Sequence, residues 1–306
     1  MQKIRIISRN SQLAMWQANH VKEKLIKASP DLAVEIIGIT TEGDRILDKS
    51  LEKIGGKGLF IKELEYQLLN GNADIAVHSL KDLPAKLPSE FILAAILPRE
   101  NPHDAFVSNN YQSIDELPNG AVIGTSSARR SAILRKYYPQ LQIKLLRGNL
   151  QTRLAKLDNG DYDGIILAVA GLKRLNLESR IREILTSERF IPAIGQGVLA
   201  VEITSNRKEE LLPLLEKIED VETRKLVSAE REMGGFMNAS CNIPIAGYAK
   251  IENSQLLLSA LIADPDGSAF YTAEISGNSD DYLQIGRKCA QLLLDQGAEA
   301  IVRKFI

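Results

Sequence analysis

The chain has few of the side chains that cross-link small domains or bind metals. Cysteine occurs twice and histidine three times among 306 residues. Two cysteines do not make a disulfide framework in a chain of this length, so we expect free thiols. No metal-ligand spacing relates the cysteines to the histidines, His20, His78 and His103. The sequence therefore predicts no metal site.

Long apolar runs and an excess of charge of either sign are also missing. The longest apolar stretches, such as 165–170 and 256–263, are far too short to cross a bilayer, and we expect no signal peptide. Lys and Arg total 38 against 39 Asp and Glu, so global charge favours neither a nucleic acid nor a membrane as partner. These features predict a cytoplasmic protein of two or three domains.

Strand-like and helix-like patterns alternate along much of the chain. Short apolar runs at 3–7, 34–39 and 75–78 predict strands, and apolar residues at helical spacing predict helices at 11–27 and 60–69. This alternation is typical of βαβ units. The pattern returns further on and predicts a second parallel sheet, with strands at 122–124, 143–146 and 164–168 and helices at 127–138 and 149–159.

Two changes of pattern suggest domain boundaries. Residues 97–103 contain two prolines, which disfavour a helix or a central strand, so this stretch is typical of a crossover. After a charged helical stretch at 206–232, the pattern predicts strands at 245–251, 256–262 and 270–276 and a helix at about 279–294. We therefore expect domain 1 at residues 1–97 plus about 197–217, domain 2 at 98–196, and a small α/β domain 3 at 218–306.

Four predicted strand ends carry hydroxyl groups and cations. They are residues 8–11, 78–82, 125–130 and 147–149, with Arg153 nearby. In open α/β sheets, ligands bind beyond the carboxyl ends of the strands, where helix N-termini offer free backbone N–H groups and arginine forks suit carboxylates. One such segment could equally be a solvated surface beside a helix cap. The four together predict a site for an anionic ligand.

Four segments resemble successive signatures of the porphobilinogen deaminase family. They are Gly55–Phe60, Asp74–Pro84, Gly124–Arg130 and Leu146–Asn149, whose order and spacing also fit, and the similarity covers nearly the whole chain. The resemblance implies an α/β fold of two doubly wound domains like those of type II periplasmic binding proteins, plus a small third α/β domain with a three-stranded sheet. The chain would cross between the first two domains twice, returning to domain 1 through a helix around Gly197–Glu202.

The resemblance also implies an activity, a cofactor and a substrate. Members of the family are transferases, also called hydroxymethylbilane synthases, that condense four porphobilinogen molecules with loss of ammonia. They release linear hydroxymethylbilane by hydrolysis, in haem biosynthesis. The product grows on a dipyrromethane cofactor that is bound covalently to a cysteine. We expect porphobilinogen as the small-molecule partner, a monomer, and no nucleic-acid or membrane partner.

The functional residues of the family can be carried over onto matching positions. Asp82 would be the catalytic carboxylate, because an anion can stabilise a cationic methylene-pyrrole and mediate proton transfer; its alternative role is a helix cap. The resemblance implies cofactor contacts from Lys81, Asp82, Thr125, Ser126, Ser127, Arg129, Arg130 and Arg153. It implies substrate contacts from Arg9, Ser11, Ser79, Arg147 and Arg174. For Lys173 we expect a solvated lysine at a helix start.

Cys241 would hold the cofactor through a thioether. A lone cysteine is more often a small buried hydrophobe, but the turn-forming neighbours of Cys241 suggest an exposed loop. Ala239 and Ser240 stand where many members of the family have paired glycines. We expect Cys289, on the predicted last helix, to be packed in a core. The stretch 42–58 is long for a connection, and we expect it to cover the cleft, with Lys53, Lys57 and Phe60 as lid residues.

Two other classes of function compete with this interpretation. A two-lobed binding protein could capture a small anion, but it would need neither the tethering cysteine nor Asp82 nor a third domain. A polyanion or RNA binder would be consistent with the pairs Arg129-Arg130 and Arg135-Lys136. The balanced charge and the lack of interleaved aromatic and basic residues argue against it.

Overall fold

The computed structural model describes residues 3–45, 61–238 and 243–305. Lys53, Lys57, Phe60 and Cys241 lie outside these ranges. The strands are, in chain order, β1 (Lys3–Arg9), β2 (Ala33–Ile39), β3 (Ile75–Ser79), β4 (Phe91–Ile96), β5 (Asp104–Val107), β6 (Val122–Thr125), β7 (Gln142–Leu145), β8 (Gly164–Ala168), β9 (Glu183–Leu185), β10 (Leu199–Thr204), β11 (Ile245–Glu252), β12 (Gln255–Ala263) and β13 (Phe270–Gly277). The α-helices are α1 (Gln12–Ala28), α2 (Glu42–Arg45), α3 (Lys62–Leu69), α4 (Ala128–Tyr137), α5 (Leu150–Asp158), α6 (Val169–Arg174), α7 (Lys208–Leu215), α8 (Val221–Phe236), α9 (Tyr282–Leu293) and α10 (Glu299–Val302).

The first sheet has the strand order β2-β1-β3-β10-β4. β1 is parallel to β2 and β3, whereas β10 runs antiparallel between β3 and β4. α1 begins after Ser11, whose hydroxyl accepts a hydrogen bond from the N–H of Ala14, and buries the predicted apolar stripe that includes Val21 and Leu25. α3 packs Leu64 and Leu68 on the opposite face. Helices therefore cover both faces of the sheet.

The expected helix around Gly197–Glu202 was wrong, because this stretch forms the strand β10. All six residues of β10 are buried, and the strand pairs with a neighbour on each side. A central strand that is covered on both faces has a continuous apolar run instead of alternation. Leu199, Ala200 and Val201 form such a run, and its length alone does not separate a strand from a buried helix.

The second sheet has the order β7-β6-β8-β5-β9. Its β6, β7 and β8 are parallel, as predicted. The prediction of a parallel sheet was incomplete, because β5 runs antiparallel to both β8 and β9. Ser127 caps α4 and Asn149 caps α5 through their side chains. These two helix N-termini therefore follow the carboxyl ends of β6 and β7.

The third sheet is antiparallel, with the order β11-β12-β13. α8 and α9 pack on it, and Cys289 is fully buried in their common core, which confirms the packing role expected for this residue. The charged stretch 206–232 is not one helix. It divides into α7 and α8, and Asp220 caps α8 by accepting a 2.7 Å hydrogen bond from the N–H of Thr223.

Two connections join the first and second sheets. Residues 97–103 lead from β4 to β5, and residues 186–198 lead from β9 to β10. The connections run side by side, since the N–H of Glu100 donates to the carbonyl of Gly197 (3.1 Å) and the N–H of Leu97 donates to that of Leu199 (3.0 Å). The residue limits of the three domains stay a prediction. No helix in the described ranges is long and apolar enough to cross a membrane.

Candidate functional site

The carboxyl ends of β1 and β3 bring the predicted site residues of the first sheet together. These strands are parallel neighbours, so their ends lie at the same edge. β3 runs directly into a 3₁₀ turn at Leu80–Asp82. A cavity of ≈ 70 Å³ at this edge is lined by residues that include Arg9, Ser11, Ser79 and Asp82. Gln17 donates a 2.9 Å hydrogen bond to the Ser79 hydroxyl and thereby orients it.

The corresponding edge of the second sheet carries the predicted hydroxyl groups. Thr125 ends β6, and its Oγ1 accepts a 3.2 Å hydrogen bond from the N–H of Ser127. The Ser127 hydroxyl in turn accepts from the N–H of Arg130 (3.4 Å). Thr125 is buried, whereas Ser126 is exposed. The turn therefore fixes two of the three hydroxyl groups by internal contacts and leaves the third at the surface.

Arg129 and Arg130 face an internal carboxylate. Arg129 Nη2 lies 2.7 Å from Asp104 Oδ2, and Arg130 Nη2 lies 2.6 Å from Asp104 Oδ1. Each guanidinium also donates to a backbone carbonyl, that of Ile191 for Arg129 and that of Ile166 for Arg130. The two cations hold the pKa of the Asp104 carboxyl well below its usual range, against the effect of burial. One anion thus offsets part of the charge of two buried cations.

The positive charge of Arg153 is compensated less than the charges of Arg129 and Arg130. Its Nε donates to the carbonyl of Gly148 (2.9 Å), and no described carboxylate forms an ion pair with it. The pKa of Arg153 is lowered to about 10, mainly by burial and also by repulsion from Arg130 and Arg147, while Asp82 opposes the shift. Arg153, on α5, and Asp82, in the turn after β3, therefore interact electrostatically although they follow strands of different sheets.

Lys81 is influenced by some of the same charged groups as Arg153, namely Arg130 and Asp82. The pKa of its ammonium is lowered to about 8, mainly by burial and also by repulsion from Arg130, while Asp82 and Asp104 oppose the shift. Asp82 itself is exposed, and its carboxylate accepts no hydrogen bond from the described residues. An exposed carboxylate among crowded cations can interact with an incoming cationic group, and the cations can bind several carboxylates.

Arg174 lies beside the connections between the sheets. Its Nη2 donates to the carbonyl of Gly197 (2.7 Å), and its guanidinium carbon lies 5.8 Å from the ring centre of Trp16. Burial lowers the pKa of Arg174 to about 10, against attraction from Glu100. The expected position of Lys173 at a helix start was wrong, because this residue is in the last turn of α6. Its side chain is 39% exposed and forms a 2.6 Å ion pair with Glu100.

Sequence reasoning missed Asp104 and Gln196, which connect the arginines to Lys81. Asp104 opens an otherwise apolar strand, and that lone carboxylate was the available signal. Gln196 stands between two glycines in the connection 186–198. In the described part of the chain, no group of three or more His, Cys, Asp or Glu side chains could hold a metal ion.

Comparisons with known proteins agree with this geometry. Residues 4–211 match the family described as porphobilinogen deaminase, dipyromethane cofactor binding domain, and residues 225–295 match the porphobilinogen deaminase C-terminal domain. The chain is 52% identical over 302 residues to the porphobilinogen deaminase of Chromobacterium violaceum, covering 99% of this chain and 97% of the relative.

The chain belongs to the porphobilinogen deaminase family. It is also 52% identical over 300 residues to the porphobilinogen deaminase of Neisseria meningitidis, covering 98% of this chain and 96% of the relative. The cofactor named by the first match fits a cleft lined with cations. Among solved structures, the methionine binding protein MetQ matches with a TM-score of 0.47 at 11% identity, covering 75% of this chain and 94% of that chain. The Bordetella pertussis BvgS periplasmic VFT2 domain matches with a TM-score of 0.42 at 16% identity, covering 71% and 86%.

Proposed function

We propose that this chain is a hydroxymethylbilane synthase. It condenses four porphobilinogen molecules in successive deaminating steps and releases linear hydroxymethylbilane by hydrolysis. The observation that carries the proposal is the position of Asp82. Its carboxylate is exposed at the cavity formed by the ends of β1 and β3, and it interacts electrostatically with Lys81 and Arg153.

The reaction requires an anion at the carbon that reacts. When ammonia leaves the aminomethyl group of porphobilinogen, it takes the electrons of the C–N bond and leaves a methylene-pyrrole cation. A fixed carboxylate lowers the energy of that cation most in a site from which water is partly excluded. Asp82 can do this, and it can accept the proton that the attacking pyrrole carbon loses when the new C–C bond forms.

The cations serve a different purpose, because each pyrrole carries an acetate and a propionate group. We assign Lys81, Arg129, Arg130 and Arg153 to the carboxylates of the dipyrromethane, with Thr125, Ser126 and Ser127 as neutral donors. We assign Arg9, Ser11, Ser79, Arg147 and Arg174 to the substrate. Arg129 supports this assignment, because its buried Nε has no hydrogen-bond partner in the described part of the chain. A buried guanidinium N–H without a partner is stabilised when an additional hydrogen-bond acceptor binds to it.

The dipyrromethane, when bound, supplies the free pyrrole α-carbon that acts as nucleophile. We propose Cys241 as its attachment point through a thioether, and Lys53, Lys57 and Phe60 as lid residues, on the family resemblance. The thiolate is the reactive form of a cysteine. Cys289 is an unsuitable alternative, because burial raises the pKa of its thiol to about 12.

The experiment has two arms. In the first, the intact mass of the purified chain is measured after incubation with porphobilinogen and denaturation. We expect an added mass equal to two condensed pyrroles, absent in Cys241→Ser and present in the matched control Cys289→Ser. The same added mass in Cys241→Ser would exclude this attachment point.

In the second arm, ammonia release from porphobilinogen is measured for Asp82→Asn. Loss of a positioned acid–base and electrostatic group lowers turnover by about 10²- to 10⁴-fold, with the far-UV circular dichroism unchanged. Asp280→Asn, which alters an exposed ion pair with Lys225 in the third domain, is the matched control and should keep full turnover. Wild-type protein that binds porphobilinogen without releasing ammonia would instead support the binding-protein alternative.

A further inference from the structure

Gln196 has a buried side chain that contacts both sheets. It is 1% exposed and lies in the connection 186–198. Its Oε1 accepts a 3.3 Å hydrogen bond from Lys81 Nζ, in the turn after β3. Its Nε2 donates to the carbonyl of Pro102 (2.6 Å) and to Asp104 Oδ1 (2.9 Å), at the start of β5. One amide therefore connects the turn that carries Asp82 with the second sheet.

The orientation of this amide follows from chemistry. A proline carbonyl can only accept hydrogen bonds, and so can an ionised carboxylate. Arg129 and Arg130 keep the pKa of Asp104 low, so Asp104 is ionised. The NH₂ group of Gln196 must therefore face Pro102 and Asp104, which leaves the carbonyl oxygen for Lys81. A flipped amide would place its NH₂ group against an ammonium.

The backbone holds Gln196 in this place. Gly195 and Gly197 adopt φ values of +70° and +87°, which side chains disfavour. A Cβ at Gly197 would lie 2.3 Å from the carbonyl oxygen of Glu100 in the other connection. The glycine at position 197 therefore lets the segment that carries Gln196 approach the other connection, residues 97–103, closely.

Lys81 needs such an acceptor. The cations Arg129 and Arg130, on α4, repel its ammonium, and the anions Asp82, in its own turn, and Asp104, on β5, attract it. In the part of the chain that the structure describes, Gln196 is the hydrogen-bond acceptor of Lys81. A neutral carbonyl stabilises the ammonium without adding a negative charge, which would compete with the carboxylates of the substrate.

We propose that Gln196 is a positioning residue: by bridging the turn after β3 and the start of β5, it holds the ammonium of Lys81 beside Asp82 and keeps it protonated. The inference rests on the proposed function, in which Lys81 binds carboxylate groups. A deprotonated Lys81 would remove one cation from the cleft and the positive neighbour of Asp82. Gln196 thus acts on the reaction through Lys81 and not by touching the substrate.

The test measures the titration of Lys81 directly. Protein containing ¹³Cε-labelled lysine is followed by NMR between pH 6 and 11, as the holoprotein and without cofactor, and the Lys81 signal is assigned by its loss in Lys81→Arg. We expect a midpoint of about 8 in the wild type. Gln196→Met keeps the size of the side chain but removes the acceptor, so the midpoint should fall by about half to one pH unit. An unchanged midpoint would overturn the proposal.

Ammonia release gives an independent measurement. The alkaline limb of its pH profile should move to lower pH in Gln196→Met by the same amount as the NMR midpoint. In the Lys81→Arg background the substitution should move nothing, because arginine stays charged over this range. A uniform loss of turnover in both backgrounds, with no shift of the limb, would show a merely structural role and would refute the proposal.

Two further controls separate the possible failures. If Gln196→Met does not fold, Gln196→Asn replaces it: its amide is one methylene too short to reach both Lys81 and Asp104, so the midpoint should fall in the same direction. If the wild type releases no ammonia, the proposed function fails. The NMR midpoints of wild type and variants still test the role of Gln196 in that case.

Discussion

Replacing Asp104 by asparagine removes the buried negative charge that Arg129 and Arg130 share. Asp104 is fully buried and accepts hydrogen bonds from Arg129 Nη2 (2.7 Å), from Arg130 Nε (3.1 Å) and Nη2 (2.6 Å), and from Gln196 Nε2 (2.9 Å). Removing one partner of a buried ion pair costs about 3–5 kcal/mol, because the other charge stays desolvated. Asparagine keeps one carbonyl acceptor, so we expect a loss of about 3 kcal/mol in the free energy of unfolding.

Urea unfolding at pH 7, followed by far-UV circular dichroism, measures this loss. The matched control is Asp158→Asn, because Asp158 forms a 2.6 Å pair with Arg180 in which the two side chains are 46% and 27% exposed. An exposed pair contributes less than about 1 kcal/mol. Equal losses in the two variants would refute the argument that burial makes the Asp104 cluster costly to break.

The contribution of Asp104 to stability should also depend on pH, in a direction that follows from its pKa. The pKa of Asp104 is depressed in the folded protein, so its contribution to stability is fully present above the ordinary carboxyl pKa and is lost as pH falls through the depressed value. The difference in stability between wild type and Asp104→Asn should therefore narrow only below about pH 4. A difference that narrows already between pH 7 and 5 would contradict this assignment.

Two other predictions use a thiol and a fluorophore. The Cys289 thiol is fully buried, and its pKa is raised to about 12. Iodoacetamide at pH 8 should therefore leave Cys289 unmodified in the native protein and alkylate it after denaturation. Peptide mass spectrometry measures the extent of modification. Alkylation of Cys289 in the native protein at the same rate as in the denatured protein would contradict the burial of this thiol. Trp16 is the one tryptophan of the chain, and the guanidinium of Arg174 lies over its ring. Arg174→Met should therefore change the tryptophan emission spectrum, whereas the control Lys173→Met should not. Identical spectra for the two variants would argue against the contact.

The elements that the sequence predicted best are those with strong local signals. α1 has an apolar stripe and a serine cap, and α4 has the cap Ser127, so each helix begins within one residue of its predicted start. β11, β12 and β13 likewise appear at the predicted positions, because their apolar runs are separated by turns. Periodicity and capping depend on neighbours in sequence, and one sequence is enough to detect them.

β10 and β5 were missed for the opposite reason. β10 pairs with β3 and β4, which lie more than a hundred residues earlier, and β5 pairs antiparallel with β8 and β9. Nothing in their own short runs specifies those neighbours. The family resemblance implied that the chain returns to domain 1, but the pattern around Gly197 did not separate strand from helix.

The charge pairing in the candidate site could not be predicted from the sequence either, because it depends on residues that are distant along the chain. The sequence treats Arg129, Arg130 and Arg153 alike, as cations near strand ends. The structure pairs the first two with Asp104 and leaves Arg153 with a backbone carbonyl and with Asp82 across the cleft. Binding a ligand carboxylate should therefore relieve more repulsion at Arg153 than at Arg129 or Arg130, whose charge is already partly neutralised. A distant aspartate decides which arginine is available, and no local pattern in the sequence contains that information.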